Sequence, residues 1–244
     1  MPKFRKFQDF AATMPLVVLY FVWIAEFVPN LASEFASLRQ SFSAVLVLNV
    51  LYEIATILFL SLVVSLFALR RLPQNRAKGA LPRAAAIVGA NLQLLFLTLP
   101  QVQNGIAVLA VSTAVTVIGL AGSIYFASVL GRSFSILPQA RGLVTTGPYR
   151  FVRHPLYIAE QVAVFGIMWQ FQQPWAFLIF AASVAAQFPR MHYEEKVLSE
   201  TYPAYWAYMA RTGRLFPRAW VGGFQFPGNR GRAPIAIDAN PLVE

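Results

Sequence analysis

The sequence contains no cysteine among its 244 residues, which removes disulfides, thiolate catalysis and most zinc sites together. Histidine is nearly as scarce, with His154 and His192 the only two. Charge is thin as well. Asp, Glu, Lys and Arg make up 12% of the chain and apolar residues 57%; a soluble domain, about a quarter charged, could not cover its surface this way. No G-x-G-x-x-G follows a strand-like run and no polar stretch is long enough for an α/β sheet, so a Rossmann domain is not expected. No internal repeat with a period of about 20–50 residues is visible.

What is present is a series of long apolar runs. A helix rising about 1.5 Å per residue needs roughly 20 of them to cross a hydrocarbon core about 30 Å thick. The pattern predicts an all-α integral membrane protein with about six transmembrane helices, near 14–32, 42–69, 84–100, 105–129, 156–171 and 174–189. The last two runs are short, and the connection Gln170–Pro174 (QFQQP) makes them a helical hairpin inserted from one side. The first run follows Lys3, Arg5 and Lys6 as a signal peptide would, but its length and Glu26 point to an uncleaved span.

The cations orient these spans. In the six-span scheme, 19 of the 20 Lys and Arg residues fall on one side, Arg39 being the exception, and the loops on the other side are almost uncharged. Basic residues near span ends stay in the cytoplasm, so both termini are expected there. The same distribution accounts for the net charge of +10; the expected partner is the lipid bilayer and not nucleic acid. Three regions follow: amino-terminal transmembrane helices over 1–130, a core with the hairpin and a cytoplasmic helical segment over 131–218, and a Gly- and Pro-bearing tail over 219–244.

Two polar patches interrupt this greasy background. The first, GPYRFVRHPLYIAE, spans Gly147 to Glu160. Gly147-Pro148 signals a turn, and Pro155 suits the first position of a helix, where its missing N–H has no partner to lose. Unpaired N–H groups and the positive helix end, reinforced by Arg150 and Arg153, suit an anion; the competing reading is that both arginines snorkel to headgroups. The second patch places Arg190, His192, Glu194 and Glu195 just past the end of an apolar helix. A hairpin brings its ends together, so 153–157 and 190–195 should be neighbours at the cytoplasmic surface. Arg153 and Glu195 could also be a purely structural ion pair. Glu26 and Glu53 lie inside apolar runs, where a carboxylate needs a cavity or a partner.

These patches resemble a known family, the integral-membrane methyltransferases that include isoprenylcysteine carboxyl methyltransferase and the phospholipid methyltransferases. The resemblance rests on Leu143-Val144-x-x-Gly147-Pro148-Tyr149-Arg150, on Arg153-His154-Pro155-x-Tyr157, and on Glu194-Glu195-x-x-Leu198 followed by Tyr202-x-x-Tyr205 and Arg214-Leu215-x-Pro217. It covers roughly 131–217, including the leading segment GRSFSILPQ.

The resemblance implies S-adenosyl-L-methionine as methyl donor, contacted by Gln139, Arg141, Gly142, Leu143, Val144, Tyr149, Arg153, His154, Pro155, Leu156, Tyr157 and Glu194. It implies Arg190 as the residue that orients the acceptor, with Glu195 beside it in the catalytic set and no metal. The expected acceptor is lipophilic, such as an isoprenylcysteine-like carboxylate; a phospholipid amine or a small thiol is the alternative, with His154, His192 or Glu195 then available for the proton. Glu160 departs from the family pattern and reads either as a mark of another acceptor or as an ion-pair partner of Arg153. A transporter would instead string ionisable residues along its spans, and a scaffold would keep the fold without transfer.

Overall fold

The computed structural model describes residue 11 and residues 13–218. The tail predicted over 219–244 and the basic residues Lys3, Arg5 and Lys6 lie outside the described residues. Among the described residues, four helical stretches are long and apolar enough to cross a membrane: α1 (Met14–Gln40), α2 (Ala44–Leu69), α3 (Ala80–Asn91) extended by a 3₁₀ segment (Leu92–Thr98), and α4 (Ile106–Leu130). α5 (Pro155–Met168), α6 (Trp175–Thr201) and the short α7 (Ala204–Arg211) complete the α-helices among the described residues. The chain is an integral membrane protein, and its lipid face is legible in exposed apolar side chains such as Phe21, Leu58, Val111 and Ile118, each more than half exposed.

Three sequence expectations need correction. The loop expected after residue 32 is helical, because α1 runs through Pro29 to Gln40. Leu, Ala, Glu and Arg in that stretch favour helix, and Pro29 removes only one backbone donor. The polar residues of the second patch do not lie beyond a helix end: α6 continues through Pro189 to Thr201 and carries Arg190 to Glu195 on its own turns. Lastly, four of the six predicted spans are helices of crossing length among the described residues: α5 has 14 residues and is only about 21 Å long, and the sixth span lies in α6, a 27-residue helix whose second half carries the charged residues from Arg190 onward.

Packing explains why α5 is short. It lies against α4 along a seam of small residues: a Cβ at Gly119 would stand 2.3 Å from the Ala163 nitrogen, and one at Gly166 would stand 2.5 Å from the Thr116 nitrogen. The two backbones touch, as small-residue seams allow in membranes. This register sets Ala159 beside Gly122, and the Tyr149 hydroxyl donates to the Phe126 carbonyl at 3.2 Å. α5 therefore begins about one turn below the end of α4, and the segment between them folds back into the end of the bundle. At the opposite end the loops meet through Gln172 N to Pro100 O (3.1 Å) and Val102 N to Gln170 O (2.9 Å).

The loop between α2 and α3 reaches across the recessed segment. Its two-residue strand β1 (Asn75–Arg76) pairs antiparallel with β2 (Gln139–Ala140). Backbone bonds from Arg71 N to Arg132 O (2.8 Å), Gln74 N to Ala140 O (2.7 Å) and Ala77 N to Pro138 O (3.0 Å) extend the strap. Below it lies the main apolar core, in which Phe67, Ala127, Phe134, Leu156 and Met191 are buried together.

Candidate active site

The recess holds a polar cleft. Its walls come from the 133–144 segment, the Gly147–Arg150 turn, the start of α5 and the Glu194 turn of α6. Gly147 has φ +58°, a left-handed conformation that glycine adopts without steric cost, and this turn aims Tyr149 inward. α7 and the residues after it clasp the turn from outside: Tyr208 Oη donates to the Tyr149 carbonyl at 2.6 Å, Arg153 N to Gly213 O at 2.9 Å and His154 N to Arg214 O at 3.1 Å.

Of the predicted cofactor residues, Gln139, Gly142, Leu143, Val144, Tyr149, Arg153, His154, Leu156, Tyr157 and Glu194 line this cleft. Arg141 sits behind the wall, 2% exposed, donating to the Arg71 carbonyl and to Gln139. Pro155 is buried as the first residue of α5. The two arginines of the first patch divide the two readings between them, because Arg153 turns in toward Glu195 while Arg150 is exposed and stacks over Phe151 at 4.4 Å. His192 is exposed and stands against Tyr193, away from the cleft lining. Sequence reading missed Ser133, Ser135, Leu198, Tyr205 and Tyr208 as lining residues. The leading segment GRSFSILPQ and the Tyr202-x-x-Tyr205 spacing were the available signals.

Glu195 lies under the cleft at the meeting point of three basic side chains. Its Oε1 accepts from Arg153 Nε at 2.9 Å and lies 3.0 Å from His154 Nε2; Arg214 Nε approaches both oxygens at 3.1 Å. An ionised carboxylate only accepts, so His154 Nε2 carries a hydrogen in this arrangement. Burial by itself would raise the Glu195 pKa, but hydrogen bonds from His154 and Arg214 and the charges of His154 and Arg153 hold it well below the usual carboxylate range.

Tyr157 is fixed on three sides. Its hydroxyl donates to Glu194 Oε2, its ring stacks on His154 at 5.1 Å between centroids, and the Arg190 guanidinium lies 4.1 Å from the ring centre. Arg190 is 3% exposed; its Nη1 donates to Glu160 Oε2 at 3.1 Å and Gln187 Oε1 at 3.3 Å. Glu160 therefore pairs with Arg190 and not with Arg153, because the helical turn that aims Tyr157 toward α6 carries residue 160 to the same side. Of the intramembrane carboxylates, Glu53 is buried with no partner for Oε2 among the described residues, and Glu26 is exposed.

A second cavity, of ≈ 320 Å³, adjoins the first. It lies between α5 and α6 and is walled by apolar side chains such as Phe165, Phe180 and Phe188, with Leu215 and Phe216 also in its lining. Among the described residues, Tyr157 is the one lining residue it shares with the cleft. The cleft itself is narrow, with ≈ 60 Å³ of space.

A recessed polar cleft at one end of a helical membrane bundle thus stands one side chain away from an apolar groove. The model of the phospholipid methyltransferase family matches residues 100–205, the stretch that contains α4, α5, α6 and the cleft between them. The family resemblance read from the motifs holds over that stretch. Among curated relatives, nickel-cobalt-cadmium resistance protein NccN of Alcaligenes xylosoxydans xylosoxydans is 33% identical over 44% of this chain and 52% of its own length. Cobalt-zinc-cadmium resistance protein CzcN of Cupriavidus metallidurans is 31% identical over 31% of this chain and 36% of its length. An uncharacterised Schizosaccharomyces pombe protein, C594.04c, is 32% identical over 35% of this chain and 26% of its own. The chain thus spans about half the length, or less, of the curated relatives it matches.

Proposed function

We propose that the protein is an S-adenosyl-L-methionine-dependent methyltransferase that modifies a lipophilic acceptor taken from the bilayer, with the cleft on the cytoplasmic side. The observation that carries this reading is the pair of adjoining cavities, one polar and one apolar, divided by Tyr157. The residues present fit the donor. Aromatic surface from Tyr149 and Tyr205 suits adenosine, Glu194 is an acceptor for an ammonium, and the cleft edge carries hydroxyls and cations for a carboxylate. S-adenosyl-L-methionine, when bound, supplies a methyl group already activated by a sulfonium charge.

The chain's own residues then have positioning to do more than covalent work. Glu195 holds Arg153, His154 and Arg214 in one cluster and fixes the entry of α5. Tyr157, locked by Glu194, His154 and Arg190, sets the distance between the two cavities. The lipid tail of the acceptor fits the apolar groove, and its head approaches along Tyr157. An anionic head reaches the Arg190 fork only in competition with Glu160, so a carboxylate acceptor faces a cation that is already paired. An amine or thiol head avoids that competition.

The test is direct. Purified protein should show heat stabilisation that rises with S-adenosylhomocysteine concentration, as a ligand specific to the folded state requires. With radiolabelled S-adenosyl-L-methionine and native membrane extract, label should enter the lipid-soluble fraction. Absence of both stabilisation and calorimetric binding would refute the reading.

A further inference from the structure

Arg71 belongs to no motif of the site and lies outside the residues that match the family, yet its side chain reaches the cleft wall. Gly142 and Ser133 both line the cleft. A Cβ at Gly142 would stand 2.5 Å from Ser133 Oγ and 3.4 Å from Arg71 Nη1. The missing side chain thus leaves a notch bordered by a hydroxyl and a guanidinium. No described carboxylate pairs with Arg71. The Tyr202 hydroxyl is buried without a hydrogen-bond partner among the described residues; burial raises its pKa, and the Arg71 charge opposes that rise. Two donors with no acceptor among the described residues, Arg71 Nη1 and Ser133 Oγ, therefore converge where glycine opens the wall.

We propose that Arg71, with Ser133, anchors the carboxylate of the cofactor's methionine moiety in the notch at Gly142. The inference rests on the methyltransferase reading and adds a residue from the strap between α2 and α3. Planar oxygen pairs suit a guanidinium fork, and the bond is charge-assisted. The strap would then sense the ligand. It is held to the recessed segment by backbone atoms of Arg71, Gln74 and Ala77, so truncating the Arg71 side chain leaves that pairing in place.

The experiment is calorimetry on the full-length, detergent-purified chain with two ligands: S-adenosylhomocysteine, and its decarboxylated amine analogue, which lacks only the carboxylate. Wild type should prefer the carboxylate form by about 10- to 100-fold, the range of a lost charged hydrogen bond. Arg71→Ala should erase that preference by weakening S-adenosylhomocysteine alone, Arg71→Lys should recover part of it, and Gly142→Ala should reduce it by filling the notch. An unchanged preference in Arg71→Ala overturns the proposal, as does equal loss of both ligands, which would mark Arg71 as a structural residue. Failure of wild type to bind S-adenosylhomocysteine would overturn the methyltransferase reading and this inference with it.

Discussion

Replacing Glu195 with glutamine tests whether the charge cluster under the cleft holds the site together. The side chains of Glu195, Arg153 and His154 are 8%, 12% and 4% exposed, so the substitution leaves a buried guanidinium without its counter-charge. Breaking a buried pair in this way costs about 3–5 kcal/mol. Arg214, 38% exposed, is screened by solvent and adds little. The isosteric amide keeps one acceptor, which puts the expected loss near the lower figure, roughly 6–12 °C in midpoint for a domain of this size. The pH dependence supplies a second readout. Glu195 has a depressed pKa in the folded state, so its stabilisation is complete above the unfolded-state value of about 4.5 and is lost as pH falls below it, at about 1.4 kcal/mol per pH unit. Thermal scans of both proteins in detergent should therefore differ most near neutral pH and converge in acid. A difference under about 1 kcal/mol at neutral pH, or one that does not shrink in acid, would refute the reasoning.

Other outcomes follow from single contacts. Arg190→Ala should destabilise the fold by leaving the half-buried Glu160 unpaired, and Arg190→Ala with Glu160→Gln should recover most of the loss in thermal scans. Glu194→Ala should weaken S-adenosylhomocysteine about 10- to 100-fold by calorimetry, while the Arg190→Ala/Glu160→Gln protein keeps cofactor affinity and loses methyl transfer. Gly119→Leu should prevent correct packing of α5 on α4, because its Cβ alone would stand 2.3 Å from a backbone nitrogen; loss of a monodisperse species on size exclusion checks it. Cysteines placed at Gln103 and Gln172 should react with an impermeant reagent from outside the cell and one at Gln74 should not, and reversed labelling would put the cleft on the wrong side for a cytosolic donor.

Local chemistry made some of this structure legible in the sequence. Pro155 starts α5 as its missing donor predicts, and the hairpin does bring Arg153 and His154 to Glu195 across 41 or 42 positions. Apolar runs marked the four helices of crossing length well. What sequence could not supply was relative height. Nothing in a hydropathy pattern tells that α5 begins a turn below the end of α4, since that depth is set by a seam of Gly119, Gly122, Ala159, Ala163 and Gly166 whose register exists only in the pair. The strap over 139–140 was invisible for a similar reason: β1 and β2 are two residues each and hold by backbone bonds, which carry no sequence signature. The last span, expected to end near 189, runs on in α6 to Thr201; Pro189 removes one hydrogen bond, and a helix already packed on its neighbours can absorb that loss.

The recess ties these features together. A cleft at the outer surface of the bundle would open to water and stand a full turn away from the lipid-facing gap between α5 and α6. Starting α5 lower places its first turn beside both, so that Tyr157 faces the polar residues on one side and the apolar groove on the other. The price of that depth is a set of buried charges, and the fold meets it by pairing them: Glu195 with its three basic neighbours, Arg190 with Glu160. Under the proposed chemistry the same pairs do a second task, because a methyl donor and a lipid acceptor must meet at one fixed distance in a place that excludes water. Tyr157, pinned by contacts from the His154 turn, from Glu194 and from Arg190, cannot shift without disturbing the charges that keep the recess folded. The residues that make the bundle stable at that depth are therefore the ones that hold the partition between its two cavities.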